Sequence, residues 1–434
     1  MAKVVIAGGG WAGVGAAVSA IQAGAEVTVL ERTDMLLGTG LVGGIMRNNG
    51  RFTAAEEAIS MGLGDLFYVI DNNARHTGME FPGHKHATLY NIATIEPAIK
   101  RLLTEKGVEI RTQSRVKDVV MQDMTIVELV LDSGEHVSGD VFVDATGTAG
   151  PFANCAKYGN GCAMCVLRCH SYGGRISVAA KAGANEYQGV KADGSIGAMS
   201  GACKILKESL SDEINEQLNT TGVAVIPIPQ QLRKGMDALA KKACQQYALP
   251  EFNDNIVLLD TGHAKLMSPF YPLDILRQIP GCENARYEDP YSGGLGNSMR
   301  YMAMSPRDNA LHVEGVDNLF CGGEKAGPLV GHTEAIVTGA LAGYNAVRYA
   351  VGEEVLVIPA ELAIGDAIAH VGEQVKAKEG LGKKYTFSGS VYFDRMLEKG
   401  LYSTDVDAIK TRVEEAGMAN IFARPLVTRK AAVI

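Results

Sequence analysis

The first thirty-one residues carry the pattern that most constrains the fold of this chain. Residues 4–7 form a short apolar run with strand character, residues 8–13 are glycine-rich, and residues 14–23 are small and helix-compatible. A second apolar run follows and ends in an acid, Glu31. A strand, a glycine-rich turn, a helix and a second strand closed by an acid are typical of a dinucleotide-binding βαβ unit. We therefore expect a nucleotide cofactor at this end of the chain.

Each glycine of the turn has a physical task. Gly8 makes the tight turn, Gly10 lets the backbone approach a pyrophosphate, and Gly13 lets the helix pack closely on the strand. The helix N-terminus offers free N–H groups to the phosphates. Glu31 is placed to accept hydrogen bonds from a ribose, which favours an adenosine without a 2′-phosphate. The cofactor residues predicted here are Gly8, Gly10, Trp11, Ala12, Gly13, Glu31 and Arg32.

Length, charge and hydropathy limit the remaining possibilities. A chain of 434 residues predicts two or three domains. A net charge of −8 argues against a broad nucleic-acid-binding face. The sequence has neither the signal-peptide pattern nor a run of 18 apolar residues, so we expect a cytoplasmic protein with no membrane span.

Two later segments complete the pattern. A predicted meander begins near Val116, and the buried strand that follows it ends in Ala145, Thr146 and Gly147. Far downstream, residues 316–324 form a strand that ends in glycines and an acid, before a helix over residues 333–349. Together with the N-terminal unit they resemble the FAD domain of the glutathione-reductase class of flavoproteins. The resemblance implies that the N-terminus of the last helix lies near the flavin, and it adds these cofactor residues: Val116, Ala145, Thr146, Gly147, Gly323, Glu324 and Thr333.

A narrower resemblance rests on residues 276–285, which read L-R-Q-I-P-G-C-E-N-A. This run is similar to the L-R-x-I-P-G-x-E-N segment of the GidA family of tRNA-modifying flavoproteins, and residues 318–323 and 334–346 resemble the closing FAD motif of that family. The resemblance implies bound FAD. In the best-known members it also implies folate- and NAD(P)H-linked carbon transfer to a tRNA uridine.

The chain departs from the GidA pattern in its cysteines and in its tail. The early glycine-rich loop, residues 37–44, has no cysteine, and neither have residues 262–272 before the I-P-G segment. The tail after residue 352 is short for a tRNA-binding region. These differences favour a small-molecule substrate and make RNA an unexpected partner. The sequence holds no second complete G-x-G-x-x-G, so NAD(P)H, if it is the electron donor, would bind without a Rossmann domain of its own.

Four cysteines within fifteen residues form a cluster of their own: Cys155, Cys162, Cys165 and Cys169. Four converging thiolates suit a [4Fe–4S] cluster, and the segment follows the Ala-Thr-Gly strand that should lie near the flavin. A redox-active dithiol of Cys162 and Cys165, a structural zinc site, and simple core packing are the alternatives.

Histidines give two further expectations. His76, His84 and His86 lie in a polar stretch, residues 71–86, which we interpret as a surface or substrate-facing loop and not as a metal site. His332 stands at the start of the last helix of the FAD pattern, where it is either an acid–base group or a hydrogen-bonding residue of the helix start.

The sequence thus predicts an α/β protein: a Rossmann-like FAD-binding domain of the three-layer ββα type, an inserted α+β substrate domain and a helical C-terminal tail. The expected boundaries are 1–150 with 311–352, 151–310, and 353–434. The expected function is an FAD-dependent oxidoreductase acting on a small molecule, with Cys162, Cys165 and His332 as catalytic residues. An electron-transfer partner and a homo-oligomer are also expected. The alternatives are a GidA-type RNA-uridine modification enzyme and a non-enzymatic flavin sensor.

Overall fold

The structure is a computed structural model, and it describes most of the chain. The described residues are 2–147, 169–190, 194, 196, 198–199, 203–240, 247–269, 271–288, 299–300 and 302–427.

The described strands, in chain order, are β1 (Lys3–Ala7), β2 (Glu26–Leu30), β3 (Ile45–Met46), β4 (Ala74–Phe81), β5 (His84–Tyr90), β6 (Glu109–Arg111), β7 (Val116–Gln122), β8 (Thr125–Leu131), β9 (His136–Ser138), β10 (Val141–Asp144), β11 (Tyr187–Gln188), β12 (Ala198–Met199), β13 (Cys203–Ile205), β14 (Val223–Pro227), β15 (Asn255–Asp260), β16 (Ala264–Leu266), β17 (Met299–Arg300), β18 (Ala303–Met304) and β19 (Leu319–Cys321).

The described α-helices are α1 (Trp11–Gln22), α2 (Gly40–Gly43), α3 (Gly50–Ala58), α4 (Gly64–Asn72), α5 (Ile95–Glu105), α6 (Cys169–Tyr172), α7 (Val178–Lys181), α8 (Asp212–Thr221), α9 (Met236–Ala240), α10 (Pro250–Asp254), α11 (Leu273–Leu276), α12 (His332–Ala350), α13 (Ala363–Lys376), α14 (Ser390–Glu398) and α15 (Val406–Glu415). A π-helical turn, Ile59–Leu63, joins α3 to α4.

A five-stranded parallel sheet is the centre of the fold, in the order β19-β10-β1-β2-β6. β1 lies in the middle and pairs with both β2 and β10, so that Val5 lies between Thr28 and Phe142. Val4, Val5 and Ile6 are fully buried, as expected for a strand covered on both faces. The sheet confirms the predicted strands of the N-terminal unit, of the Ala-Thr-Gly segment and of the closing segment.

Glycines let α1 and α12 pack unusually closely on one face of this sheet. A Cβ at Gly339 would overlap the backbone of Ala12, and a Cβ at Gly343 would overlap the backbone of Ala16. In the other direction, a Cβ at Gly15 would overlap the carbonyl of Ile336. The two helices can therefore make this contact only because both carry glycines at the interface. The contact brings their N-termini together.

The predicted meander is present and is tied to the central sheet. β7, β8 and β9 form an antiparallel sheet. Asn318, which is buried just before β19, donates from Nδ2 to the carbonyls of Ile126 and Asp140 at 2.9 and 3.0 Å, and its Oδ1 accepts from the Ile126 amide at 2.9 Å. Central sheet, helices and meander together confirm the predicted Rossmann-like architecture.

The expectation of an irregular loop over residues 71–86 is wrong. This segment forms most of a long hairpin, β4 and β5, whose register shifts three times. The shifts and the positive φ of Gly78, Gly83 and His86 interrupt the alternation of apolar and polar residues by which a strand is recognised. His84 is buried, and its Nδ1 lies 3.0 Å from the side-chain Nδ2 of Asn48.

A second core belongs to the inserted part of the chain. Its antiparallel sheet has the order β13-β16-β15-β14, and α8 packs against β14 and β15. The sequence predicts a helix over residues 209–217. The observed helix, α8, begins instead at Asp212, because Ser211 caps it by accepting a hydrogen bond from the Ile214 amide. The sequence predicts a helix over residues 231–247, but Gly235 takes φ +81° and α9 begins only at Met236, so the prediction is wrong in its first part.

The predicted helices of the tail are confirmed and contribute to the first core. Leu362, Ile364, Tyr392 and Phe422 are buried in the same apolar cluster as the central sheet. Among the described residues, no helix has the length and apolarity needed to cross a bilayer.

Candidate cofactor and active site

An open cleft lies at the carboxyl end of the central sheet. Three distant parts of the chain line it: the turn after β1 with the end of β2, the start of the meander, and the Ala-Thr-Gly turn after β10. Ligands of open α/β sheets bind at this edge of the strands. The predicted cofactor residues in the lining are Gly8, Gly10, Glu31, Arg32, Val116, Ala145, Thr146 and Gly147.

The glycines of the first turn have the surroundings that a bound pyrophosphate requires. Gly8 takes φ +104°, and a Cβ on Gly13 would overlap the Gly8 carbonyl, so both positions are restricted by the protein itself. Gly10 differs, because a Cβ there would meet no atom within 4 Å. Its backbone faces open space at the N-terminus of α1, where phosphate oxygens are stabilised by amide groups and by the helix dipole.

Glu31 lines the cleft and is held in one orientation. Its Oε2 accepts from the Gly9 amide at 2.8 Å, and its Oε1 accepts from the Thr33 amide and hydroxyl at 2.8 and 3.0 Å. A carboxylate has about four acceptor sites, so hydrogen bonds from ribose hydroxyls remain possible. The residues therefore fit the nucleotide half of a dinucleotide.

Asp144 orients the Ala-Thr-Gly turn, and sequence reasoning missed this role. The side chain is fully buried at the end of β10. Its Oδ1 accepts from the Thr146 amide at 3.1 Å and from the Thr146 hydroxyl at 2.6 Å, while its Oδ2 accepts from the Ala179 amide at 2.9 Å. The sequence feature that could have indicated this role is the acid immediately before Ala-Thr-Gly. Asp144 thus fixes a turn that lines the cleft.

Three arginines line the cleft, and only the first was predicted as a cofactor residue: Arg32, Arg115 and Arg175. Arg32 donates to the Gly173 carbonyl at 2.7 Å, and Arg115 donates to the Gly174 carbonyl at 2.6 Å while it pairs with Asp132 at 2.7 Å. The positive charge suits an anionic pyrophosphate.

Described residues on both sides of the cysteine-rich segment line this cleft. Gly147 precedes it, Gly174 follows it, and both line the cleft. Residues 148–168, with Cys155, Cys162 and Cys165, lie outside the described residues, as does the side chain of Cys169. The part of the chain that is described contains no group of three or more His, Cys, Asp or Glu residues able to hold a metal.

A hydrogen-bonded chain of rings lies behind the loop that bears Gly38, Thr39 and Leu41 of the cleft lining. Trp11 donates from Nε1 to the Tyr90 hydroxyl at 3.2 Å, and that hydroxyl lies 3.0 Å from Nδ1 of His332. All three rings pack together, with centroids 5.8–6.4 Å apart. The structure therefore places His332 beside Trp11, at the meeting point of the N-termini of α1 and α12.

The inserted part of the chain reaches the same place. Lys265 of β16 donates to the carbonyl of Gly43 in α2, and the ring of His332 occupies the space that a side chain at residue 43 would need. Thr261, between β15 and β16, lies against Gly44 and is buried, and its hydroxyl has no hydrogen-bond partner among the described residues. A buried hydroxyl without such a partner is a polar position that a water molecule or a ligand can satisfy.

The remaining predicted residues lie outside the described cleft lining: Trp11, Ala12, Gly13, Gly323, Glu324, Thr333 and His332. Gly323 packs on Ala12 and donates its amide to Thr338 Oγ1 at 2.8 Å. Thr333 is buried, with its hydroxyl 3.6 Å from the sulfur of Met46. Their cofactor roles stay predictions.

Two family models match separate parts of the chain. The family described as FAD dependent oxidoreductase matches residues 3–155, and the family described as glucose inhibited division protein A matches residues 250–354. The first range contains β1, the meander and β10, and the second contains β19 and α12.

Curated relatives and solved structures agree with these matches. Two proteins named methylenetetrahydrofolate–tRNA-(uracil-5-)-methyltransferase TrmFO are similar over short stretches: that of Desulfotalea psychrophila is 33% identical over 97 residues, or 22% of this chain, and that of Lysinibacillus sphaericus is 29% identical over 103 residues, or 23% of this chain. The matches span only 21% and 22% of those relatives. The Aquifex aeolicus GidA structure in its form II crystal has a TM-score of 0.68 at 16% identity, covering 96% of this chain and 74% of that one. The likeness to GidA establishes the fold.

Proposed function

Because the chain belongs to the GidA-related FAD-dependent oxidoreductases, we propose that FAD binds in the cleft between Glu31 and Thr146 and serves the oxidation or reduction of a small molecule. FAD supplies hydride and electron transfer, while the protein supplies binding, orientation and electrostatics. The observation that carries this proposal is the convergence on one cleft of three distant segments, each of which contains predicted cofactor residues.

In this proposal, different residues contact different parts of the cofactor. Gly10 and the N-terminus of α1 would hold the pyrophosphate, and Glu31 would accept hydrogen bonds from the adenosine ribose. Thr146, oriented by Asp144, would contact the middle of the cofactor from the opposite wall. Arg32 and Arg115 would retain the cofactor by holding residues 173 and 174 at the mouth.

The substrate would bind where the inserted part of the chain meets α2. Lys265 donates to the Gly43 carbonyl, His332 packs against Gly43, and Thr261 packs against Gly44. This junction combines a cation, a hydroxyl and an imidazole beside the proposed flavin end, which suits a polar small molecule.

The proposal is tested by anaerobic reduction of the bound flavin. FAD-reconstituted protein would be mixed with NADH, with NADPH, and with a panel of small hydroxy and amino compounds, while the long-wavelength flavin absorbance is followed. At least one compound should bleach the flavin saturably. The absence of saturable bleaching, from a protein whose flavin dithionite still reduces, would favour the non-enzymatic alternative.

We also retain an electron relay through Cys155, Cys162, Cys165 and Cys169 as part of the proposal. Its support is the position of the flanking residues, Gly147 and Gly174, at the cleft. A [4Fe–4S] cluster predicts about four irons per chain in anaerobically purified protein, all lost in Cys165→Ser and retained in Cys282→Ser, whose thiol lies buried in the second core. Stoichiometric zinc would contradict the relay. Such thiols need a reducing compartment, which is why we propose the cytoplasm.

RNA-uridine modification is the second candidate, and the named activity of the TrmFO relatives favours it. The expectation that RNA is not a partner therefore gains no support. A tRNA gel-shift titration at several salt concentrations tests it. Specific binding that weakens steeply with salt would favour the second candidate over the first.

A further inference from the structure

A buried ion pair joins the turn after β19 to the inserted part of the chain. The side chain of Lys325 is fully buried, and that of Glu186, with which it pairs, is only 7% exposed. The ammonium group of Lys325 also donates to the Ser177 hydroxyl at 2.8 Å and to the Ala303 carbonyl at 3.1 Å. An ammonium group carries three protons, and these three partners supply three acceptors. Lys325 is therefore held in one orientation by its hydrogen bonds.

Ser177 lies between this ion pair and Asp144, the acid that orients the Ala-Thr-Gly turn. The Ser177 hydroxyl accepts from Lys325 at 2.8 Å and donates to Oε1 of Glu186 at 2.6 Å. It lies 3.4 Å from Oδ2 of Asp144 and caps α7 by accepting from the Ala180 amide at 3.1 Å. Because a hydroxyl has one proton, the nearer carboxylate, that of Glu186, takes it. The ion pair therefore fixes both the place and the direction of this hydroxyl.

Residues 173–177 form a strap, whose middle part, residues 174–176, lines the cleft. At the start of the strap, Arg32 and Arg115 donate to its first two carbonyls at 2.7 and 2.6 Å. At its end stands Ser177, held by the buried ion pair. The strap is thus anchored twice, and the second anchor is made by side chains outside the cleft lining.

The strap extends along the part of the cleft where a nucleotide is expected. Its start lies beside Arg32, which follows Glu31 in the sequence. Further along, a Cβ on Gly147 would lie 3.0 Å from the guanidinium of Arg175. The strap therefore reaches from the end of β2 to the Ala-Thr-Gly turn.

We propose that Lys325 and Glu186 are positioning residues that anchor the strap through Ser177, and that the anchored strap retains the adenosine and pyrophosphate of FAD. The proposal rests on the proposed function, which assigns FAD to this cleft. Neither charged residue touches the cofactor, so both act through the position of the strap.

The energetics of buried ion pairs separate this role from a role in stability. Desolvation of two buried charges offsets most of their attraction, so that apolar residues of similar size often stabilise a fold as well. What an ion pair adds is direction, because its hydrogen bonds fix the groups around it. Replacing both charges should therefore preserve stability but release the Ser177 hydroxyl.

A double-mutant cycle of Lys325→Met and Glu186→Met, on the full chain with and without FAD, tests the proposal. Each single variant leaves one buried charge without its partner and should lower the melting temperature of the apoprotein. The double variant should recover a melting temperature close to that of the wild type. It should still release FAD about 10-fold faster, the order of effect expected from one lost hydrogen bond to a charged group. Release is measured by the return of free-flavin fluorescence after dilution.

Ser177→Ala tests the same anchor without changing either charge. It removes the hydroxyl and should also speed FAD release by about 10-fold. Ser177→Thr keeps both a hydroxyl and an N-cap residue, and it should restore slow release. Lys376→Met breaks a half-exposed ion pair with Glu314, far less buried than that of Lys325, and it is the control that should release FAD at the wild-type rate.

The proposal is overturned if the double variant or Ser177→Ala releases FAD as slowly as the wild type. Should the double variant fold poorly, the comparison of Ser177→Ala with Ser177→Thr decides, and equally fast release from both would also overturn it. Failure of the proposed function has a different signature, since the wild-type protein would then bind no FAD at all. Wild-type protein that binds FAD, with variants that release it at the same rate, contradicts the anchor alone.

Discussion

At the scale of single residues, the account depends most on the Glu31 carboxylate. Glu31→Ala removes the acceptors for the Gly9 amide and for the proposed ribose contact, and charged hydrogen bonds contribute about 1.5–3 kcal/mol each. We expect FAD affinity to fall about 10- to 100-fold, measured by fluorescence titration of the apoprotein. Glu26→Ala, at the exposed start of the same strand, is the matched control and should bind FAD normally. Unchanged affinity in Glu31→Ala would place the adenosine elsewhere.

Residues whose role follows from local backbone geometry were predictable, and residues whose role depends on distant contacts were not. Gly8, Gly10 and Glu31 follow a spacing that a tight turn and a strand end dictate. Arg115 lies far from that motif in sequence. It lines the cleft because the start of the meander contributes to the lining. Tyr90 was missed because its strand was not recognised.

At the scale of elements, the close contact of α1 with α12 sets the position of both helix N-termini. Gly339→Ala would place a methyl group within the backbone of Ala12 and force the helices apart. We expect a loss of unfolding free energy of about 1–3 kcal/mol, with weaker FAD retention, since overpacking costs this much. Chemical denaturation measures the loss. Gly64→Ala in α4, where the nearest atom is 3.9 Å away, is the control, and equal stability of both variants would contradict the packing argument.

The start of α13 depends on a carboxyl from another helix. Glu57 of α3 is fully buried and accepts from the Ala363 and Ile364 amides at 2.9 and 3.1 Å. Burial raises the pKa of Glu57 from 4.5 to about 7, against the opposing effects of these hydrogen bonds and of Arg412. The folded state therefore binds the proton more tightly than the unfolded state. This contribution to stability is complete below pH 4.5 and is lost as the pH rises to about 7.

Glu57→Gln removes this titration while it keeps one acceptor for the helix start. Relative to the variant, the wild type should lose up to about 3 kcal/mol of unfolding free energy between these pH values. Denaturation at several pH values measures the difference. Glu213→Gln, an exposed acid in the first turn of α8, should show no such trend. A pH-independent difference for Glu57→Gln would contradict the raised pKa.

Elements with regular periodicity were predicted well, whereas elements that tertiary contacts interrupt were not. The amphipathic α5 and the tail helices follow a helical period that their sequences show. The hairpin β4–β5 contains three register shifts, each of which reverses the side-chain alternation. α9 begins later than the sequence predicts, because Gly235 takes a positive φ.

At the scale of the whole molecule, Asp260 joins the inserted sheet to the hairpin β4–β5. Its fully buried carboxylate pairs with Arg75 at 2.8 Å, His76 at 2.9 Å and Lys207 at 3.3 Å. Burial alone would raise the pKa of Asp260, but the hydrogen bonds from Arg75, His76 and the Gly262 amide, with the charge of Lys207, hold it below its ordinary value. The stability that this pairing provides is therefore present at neutral pH and is lost as the pH falls through the folded-state pKa.

Asp260→Asn should loosen the joint between the two parts of the chain. We expect a loss of about 1–3 kcal/mol at neutral pH and earlier proteolysis near residues 260–264, with wild type and variant converging in acid. Asp254→Asn, in an exposed pair with Arg233, should have little effect. Limited proteolysis and denaturation at two pH values measure both. A loss that persists unchanged in acid would assign the effect to packing instead of charge.

The division into parts was predictable from the sequence to the extent that motifs mark it. The FAD motifs fall on both sides of an inserted segment, and the second core lies within that segment. The predicted boundaries stay predictions, and the tail shows why: Ile364 and Phe422 complete the same core as the central sheet. Amphipathic periodicity predicts that a helix buries one face, but it does not identify the surface that the face contacts.

The most direct test of the central claim is the flavin content of wild-type and Glu31→Ala protein, purified in parallel and reconstituted with FAD. The account predicts one FAD per wild-type chain, FAD and not FMN on extraction, and little flavin retained by Glu31→Ala, while Glu26→Ala matches the wild type. A wild-type protein that retains no flavin after reconstitution, or a Glu31→Ala protein that retains as much as the wild type, would contradict it.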